Sequence, residues 1–145
     1  MTERRLRFRP SQRLAGHGAF GRVLAAKARA ERGPLSVHAV PAESAASASA
    51  ASHRLGISIG RRCGNAVRRN RIKRLLREAY RLGQHGMPTD PPAPYDLVVV
   101  VRPHDPLALD AYRGHLFEAI RSLHELWMKR HHRRTNRPQE PTDGP

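Results

Sequence analysis

The residues of this chain best placed to do chemistry are arginines. From Arg61 to Arg81 the sequence reads RRCGNAVRRNRIKRLLREAYR, with nine Arg or Lys against a single acid, Glu78. A guanidinium fork donates paired hydrogen bonds to phosphate oxygens, so an arginine-rich run suits phosphate recognition better than lysine point charges do. The chemistry it offers is binding. The twelve acids are spread singly, and no pair has the look of a two-metal nuclease centre. Nine histidines invite a metal reading, but His131 and His132 are adjacent and would diverge by about 100° on a helix. His115 and His124 do not align with them at ligand spacing, so no metal site is expected. Cys63 stands beside Arg61 and Arg62 with no second thiol, and a small packing role is expected for it.

The charged run must be carried by a helix. Placed at about 100° per residue, Ile72, Leu75, Leu76, Ala79 and Leu82 gather in one arc. Asn70, Arg74, Arg77 and Arg81 gather in the opposite arc with Lys73 beside them, and Arg69 and Arg71 flank the stripe. Arg68 falls inside the apolar arc, which places it in the first turn beyond the edge of the core. Asn65 is the expected N-cap. The charge is sorted, yet it opposes helix stability. Cations at Arg61, Arg62, Arg68 and Arg69 crowd the positive end of the macrodipole, where each costs roughly 0.3–1 kcal/mol. Like charges four apart, Arg69 with Lys73 and Arg77 with Arg81, add repulsion. An anionic partner would remove that penalty, and the free N–H groups of the helix start also suit a phosphate. Asn70, a poor helix former between two arginines, reads as a hydrogen-bonding contact to a base or ribose.

The totals agree with this reading. The chain has 145 residues, enough for one domain with a real core. Its formal net charge is +15 and its pI about 11.6, which points to nucleic acid first and an anionic membrane surface second. One cysteine rules out an internal disulfide and requires no oxidising compartment. The longest apolar run, LVVVV at Leu97 to Val101, is strand-sized rather than membrane-spanning. MTERRLRFRP is charged but no apolar stretch follows it, so no secretory signal is expected and the cytoplasm is the expected location.

Around the basic helix the other elements follow in order. Residues 1–10 form a basic arm. Ser11 caps a helix expected to run to about Arg29, with Leu14, Phe20, Val23 and Leu24 on its inner side. Leu35, Val37 and Ala39 alternate with Ser36, His38 and Val40 in a strand from Gly33 to Val40. An Ala/Ser-rich stretch, residues 42–52, reads as a flexible loop. HRLGISIG resumes the strand pattern, with Leu55, Ile57 and Ile59 facing one way and Gly56, Ser58 and Gly60 the other. A Pro-rich connection over 86–94 leads to YDLVVVVR, a strand buried on both faces and therefore central. The last helix, Leu109 to Arg130, repeats Leu109, Leu116, Ile120, Leu123 and Trp127, and residues 133–145 read as a disordered tail. The order helix, strand, strand, helix, strand, helix gives an α+β sandwich. Three helices cover one face of a small mixed sheet of three to four strands, with a single nucleic-acid-binding domain at 11–132. The uncovered face would present Ser36, His38, Ser58 and Arg102.

The segment GNAVRRNRIKRLLRE carries a resemblance. Arg69-Asn70-Arg71-Ile72-Lys73-Arg74, preceded by Gly64-Asn65-Ala66-Val67 and by the LGISIG strand, resembles the Arg-Asn-Arg signature of the bacterial ribonuclease P protein component. The N-terminal RPSQRLAGHGAFGRVL and the C-terminal LWMKRHHRR resemble the ends of the same family, over about residues 5–132. The resemblance implies a protein cofactor of a ribonucleoprotein that removes the 5′ leader of precursor tRNA. It implies catalysis by the RNA subunit using Mg²⁺, with no cofactor held tightly by the protein and no protein partner or membrane required. It also implies a left-handed crossover around the basic helix, against the general handedness rule. The basic helix would contact the catalytic RNA through Arg61, Asn65, Arg68, Arg69, Asn70, Arg71, Lys73, Arg74, Arg77 and Arg81. The leader would lie in a cleft of Phe20, Leu24, His38, Ser58, Arg62 and Arg102. Leu24 and His38 stand where aromatic residues are usual in the family. Each missing base-stacking platform is worth roughly 1–3 kcal/mol, so leader binding would shift toward electrostatics and the flat imidazole. A structural RNA-binding protein such as a ribosomal component explains the charge equally well but not the signature. A nuclease active on its own, or a DNA compaction factor, is a third reading.

Overall fold

The computed structural model of the chain describes residues 13–14, 17–42 and 53–135. The expected basic arm, the Ser11 cap, most of the Ala/Ser loop and residues 136–145 lie outside the described residues. Within them, helix α1 spans His17–Ala25, strands β1 and β2 span Arg29–Arg32 and Leu35–Pro41, and β3 spans Arg54–Ile59. Helix α2 spans Ala66–Gly83, β4 spans Tyr95–Val101 and α3 spans Leu109–Thr135. The sheet order is β1-β2-β4-β3, antiparallel except for the β3–β4 pair, which is parallel and joined through α2.

The central position expected for YDLVVVV is observed, since β4 lies between β2 and β3 and Leu97, Val98 and Val99 are fully buried. On one face Leu35, Val37, Ala39, Leu55, Leu97, Val99 and Val101 meet α2 and α3 in the main core. From α2 this core takes Ile72, Leu76, Ala79 and Tyr80, and from α3 it takes Tyr112, Leu116, Ile120 and Leu123. The sorting of the basic helix is therefore real, with Leu75 and Leu82 half-buried at its margins. Tyr80, the arc's missing member, is buried, and desolvation pushes its phenol up to about 12.

Three expectations change. The first is α1, which begins at His17, six residues beyond Ser11, and ends at Ala25. Leu14 precedes it in extended chain, where its N–H donates to Leu55 O at 3.0 Å and Arg13 forms a parallel bridge to Leu55. Burial on α1 centres on Ala19, Phe20, Val23 and Ala26, so Leu24 lies about 100° away and is 39% exposed rather than inward. Second, the helices do not all cover one face. α1 crosses the opposite face, where Val23 joins Leu14, Val40 and Val98 in a second core. Third, Arg29, expected as the helix end, and residues 30–32, given no element, form β1, and α3 continues through Arg133 and Arg134 to Thr135 where a tail was expected.

A buried carboxylate fixes α1 to the sheet. Asp96 is fully buried, yet it accepts hydrogen bonds from Arg22 of α1 and from Arg54 of β3, the latter through Nε and Nη2 at 2.8 and 2.7 Å. Phe20 closes the same end. Its ring lies where a Cβ on Gly56 would stand, so only glycine at that β3 position admits it. Because β1 stops at Arg29, the edge of β2 beyond it needs other partners. Ala39 N–H donates to Ala28 O at 3.2 Å, and Trp127 Nε1 donates to Ala39 O at 2.9 Å.

Candidate nucleic-acid interface

The chain enters α2 through a single 3₁₀ turn at Arg61–Cys63. Asn65 then has extended backbone and its Oδ1 accepts the Arg68 N–H at 2.9 Å, the expected N-cap. The first turn holds no acid. Against the apolar inner arc, the outer arc opens onto a groove of about 360 Å³ lined by Asn70, Lys73, Arg74, Arg77, Glu78, Arg81 and Arg13. Five of these residues were expected from the sequence to share one face, and the structure brings them together.

Not every guanidinium in the run is equally placed. Arg81 is held by Glu78 one turn earlier, with Nε at 2.9 Å from Oε2 and Nη2 on the other oxygen. This hydrogen bond, more than the Coulomb attraction, holds the Glu78 carboxyl below its ordinary range. Arg68 is half-buried and ties the first turn to the loop after β4, through Nη2 to His104 O at 3.2 Å and Asp105 Oδ1 at 3.0 Å. Asn65 is occupied by capping. Arg61, Asn70, Arg71 and Arg74 are exposed, and Lys73 and Arg77 are half-exposed. The Nε atoms of Arg68 and Arg69 are buried without hydrogen-bond partners among the described residues. Arg77 is pushed down from its ordinary value, first by burial and then by the neighbouring positive charge of Arg13.

The residues assigned to a leader cleft divide into two groups. Phe20, His38 and Ser58 share the sheet face that α1 partly covers. The pairing register aligns Glu31, Ser36, Val100 and Ser58 in one row, and Arg29, His38, Val98 and Gly56 in the next. Ser58 is exposed, Phe20 and His38 are half-buried, and Ser36, expected on an open face, is buried. Burial, then Arg29, lowers the His38 pKa against an opposing pull from Glu31, so the imidazole is neutral at pH 7. Leu24 projects to solvent from α1. Arg62 sits in the turn after β3, at a smaller hollow shared with Cys63, Gly64, Arg68, Pro103, His104 and Asp105. Arg102 lies past the end of β4, where it donates to Gly33 O at 2.5 Å and lies 3.8 Å from Glu31. It braces the β1–β2 turn.

Arg13 is the residue that sequence reasoning missed in the groove. Helical periodicity absorbed it into α1, and the bridge that holds it beside β3 leaves no local pattern. Asp96 was also missed, although an acid inside an otherwise apolar central strand has to be paired. Among the described residues, no group of three or more His, Cys, Asp or Glu is arranged to hold a metal ion, and no helix is long and apolar enough to cross a membrane.

Fold and groove together define a small, strongly basic α+β protein with an arginine-lined trough along one helix. Residues 8–125 match the sequence model of the Ribonuclease P family, and the chain belongs to that family. A ribonuclease P protein component of Syntrophobacter fumaroxidans is 40% identical over 98 residues, covering 67% of this chain and 74% of that protein. One from Natranaerobius thermophilus is 48% identical over 50 residues, 34% of this chain and 40% of that protein. The fold is that of the Staphylococcus aureus RNase P protein (TM-score 0.62, 21% identity, 80% of this chain and 97% of that one). It is also that of the RNase P protein from Thermotoga maritima (TM-score 0.62, 23% identity, 76% and 96%). Family membership carries the role of protein subunit of ribonuclease P, in tRNA processing.

Proposed function

We propose that the outer face of α2 binds the catalytic RNA of ribonuclease P, and that the sheet face beside α1 holds the 5′ leader of precursor tRNA. The observation that carries this reading is the groove in which Asn70, Lys73, Arg74, Arg77 and Arg13 converge on an element buttressed by Ile72, Leu76 and Ala79. A rigid helix presents the cations at fixed spacing, so the entropy of ordering them is spent on folding rather than on binding. Phosphate contacts of this kind set position and affinity, and each releases a counterion. The leader surface is built differently. Phe20 is half-buried against Gly56, and the neutral His38 offers a flat imidazole where a larger ring would stack better. The protein's contribution is positioning and charge neutralisation, while cleavage, and the Mg²⁺ it uses, belong to the RNA subunit. The complex works in the cytoplasm and needs no further protein.

The test is precursor tRNA cleavage at low Mg²⁺ by the RNA subunit alone, the chain alone, and both. Stimulation only in the mixture supports the proposal. Cleavage by the chain alone would make it a nuclease in its own right, and RNA binding without stimulation would leave only a structural RNA-binding protein.

A further inference from the structure

A second hollow, of about 540 Å³, lies between the C-terminal end of α2 and the flank of α3. Leu82 and the half-buried Phe117 form its floor, and the Phe117 ring rests where a Cβ on Gly83 would stand. Asp110, Arg113, Glu118 and Arg121 stand exposed on its rim, two acids against two cations. The balance continues along the helix. From Leu109 to Lys129, α3 carries Asp110, Glu118 and Glu125 against Arg113, Arg121 and Lys129, three charges of each sign in a chain of net charge +15. At about 100° per residue, Asp110, Gly114, Phe117, Glu118 and Arg121 fall on one side of α3. Gly114 therefore has an acid one turn before it and another one turn after it on the same side. A side chain at Gly114 would meet open space, so no contact among the described residues requires glycine there. Glycine inside a helix is less favourable than alanine, and its use suits close approach by a group from outside.

We infer that this side of α3 is a contact between two copies of the chain, in which Arg121 of each copy lies over Gly114 of the other, between Asp110 and Glu118. In a twofold contact each copy presents the same patch, so the patch must complement itself. A face of one sign repels its own copy, whereas this face offers an arginine and a seat flanked by acids, and the pairing occurs twice. A twofold axis level with Phe117 and Glu118 brings Gly114 opposite Arg121, because the two positions lie equally far from that level. Phe117 and Leu82 then supply the apolar centre, in keeping with the enrichment of aromatic residues and arginine at interfaces. Glu118 lies 3.9 Å from Arg32 of its own chain yet keeps 62% of its side chain exposed, so it remains open to a partner. RNA is the poorer occupant, since Asp110 and Glu118 would face its phosphates. The hollow shares no lining residue with the trough along α2, so pairing leaves the proposed RNA surface free. The inference goes beyond the RNA reading and does not rest on it.

The experiment is sedimentation equilibrium of the full chain over a concentration series at about 0.15 M salt, where repulsion between the net charges is screened beyond about 8 Å. A reversible monomer–dimer equilibrium is expected. Arg121→Glu and Glu118→Arg should each weaken it about tenfold, since each places like charges together twice. The double variant restores opposite signs and should pair more tightly than either single variant. Gly114→Gln fills the seat and should dissociate the pair, with the thermal midpoint of the dilute chain unchanged or raised because glutamine is the better helix former. The mass of one chain at every concentration would overturn the contact. A dimer equally tight in all four variants would place the contact on another face and overturn it as well. Binding of the catalytic RNA by Arg121→Glu should keep the salt dependence of the natural chain. A flatter dependence would assign the hollow to RNA and overturn the second copy as its occupant.

Discussion

Two clusters of arginine in this molecule are put to opposite uses. At the α1 end of the sheet, Arg22 and Arg54 converge on the buried carboxylate of Asp96, and the charges close on one another. Along α2, Lys73, Arg74 and Arg77 face a trough that Arg13 also lines, and Glu78, the one acid among its described lining residues, is held by Arg81. The first arrangement holds the fold together: two cations from different elements are stitched by one anion that the chain supplies. The second gathers cations on an outer face of the fold, and in the function proposed above an RNA phosphate is the group they meet. Residue type alone does not separate the two. Arg68 and Arg81 lie in the same run as Arg74 and Arg77, yet Asp105 and Glu78 draw them into the fold.

The comparison breaks most visibly at Asp96. Asp96→Ala takes from Arg22 and Arg54 the buried carboxylate that both hold, and about 3–5 kcal/mol of stability should be lost by urea unfolding. Leu76→Ala, under the groove, should cost about 2–5 kcal/mol through a cavity in the main core. The folded fraction of that variant should still show the natural salt dependence of RNA binding. Asn65→Ala removes the cap of α2 and should cost about 1 kcal/mol. A loss below a few tenths would mean that the Oδ1 bond to Arg68 N–H is dispensable.

A smaller effect should appear with pH. His53 is buried, with Nε2–H donating to Pro88 O and Nδ1 accepting the Tyr95 N–H, both at 2.9 Å. Both bonds together require the neutral ring. Burial is the main cause lowering its pKa, and the Pro88 hydrogen bond opposes it. A lowered folded pKa means that the unfolded chain binds the proton more readily. The contribution is therefore complete above the unfolded value of about 6.5 and is lost as pH falls through the folded one. Stability should decline on acidification below about pH 6.5, and more gently in His53→Gln. A decline of equal steepness in both would place its cause elsewhere.

Much of the fold could be read in the residues. The apolar arc of α2, its Asn65 cap, the alternation of β2 and β3, and the unbroken apolar run of β4 are local patterns, and each corresponds to an observed element. The stripe from Asn70 to Arg81 was legible because helix geometry alone sorts it. β1 was not, since Arg-Ala-Glu-Arg buries only Ala30 and exists by pairing with β2, in the charged style of an edge strand. The two-sided covering of the sheet was hidden for a related reason. Val40 looked like the polar side of an alternating strand, and only its meeting with Val98 and Val23 reveals the second core. Arg13 and Asp96 acquire their roles from neighbours 42 to 74 residues away in sequence, a separation that no local pattern encodes.

The central claim is that the outer face of α2 grips RNA. It is tested most directly by measuring the affinity of the Arg74→Gln/Arg77→Gln chain for the catalytic RNA across a salt series, beside the natural chain. Loss of two phosphate contacts predicts a log–log slope flatter by about 1.8, with the unfolding midpoint unchanged or raised. A slope equal to that of the natural chain, from protein shown to be folded, would contradict the account.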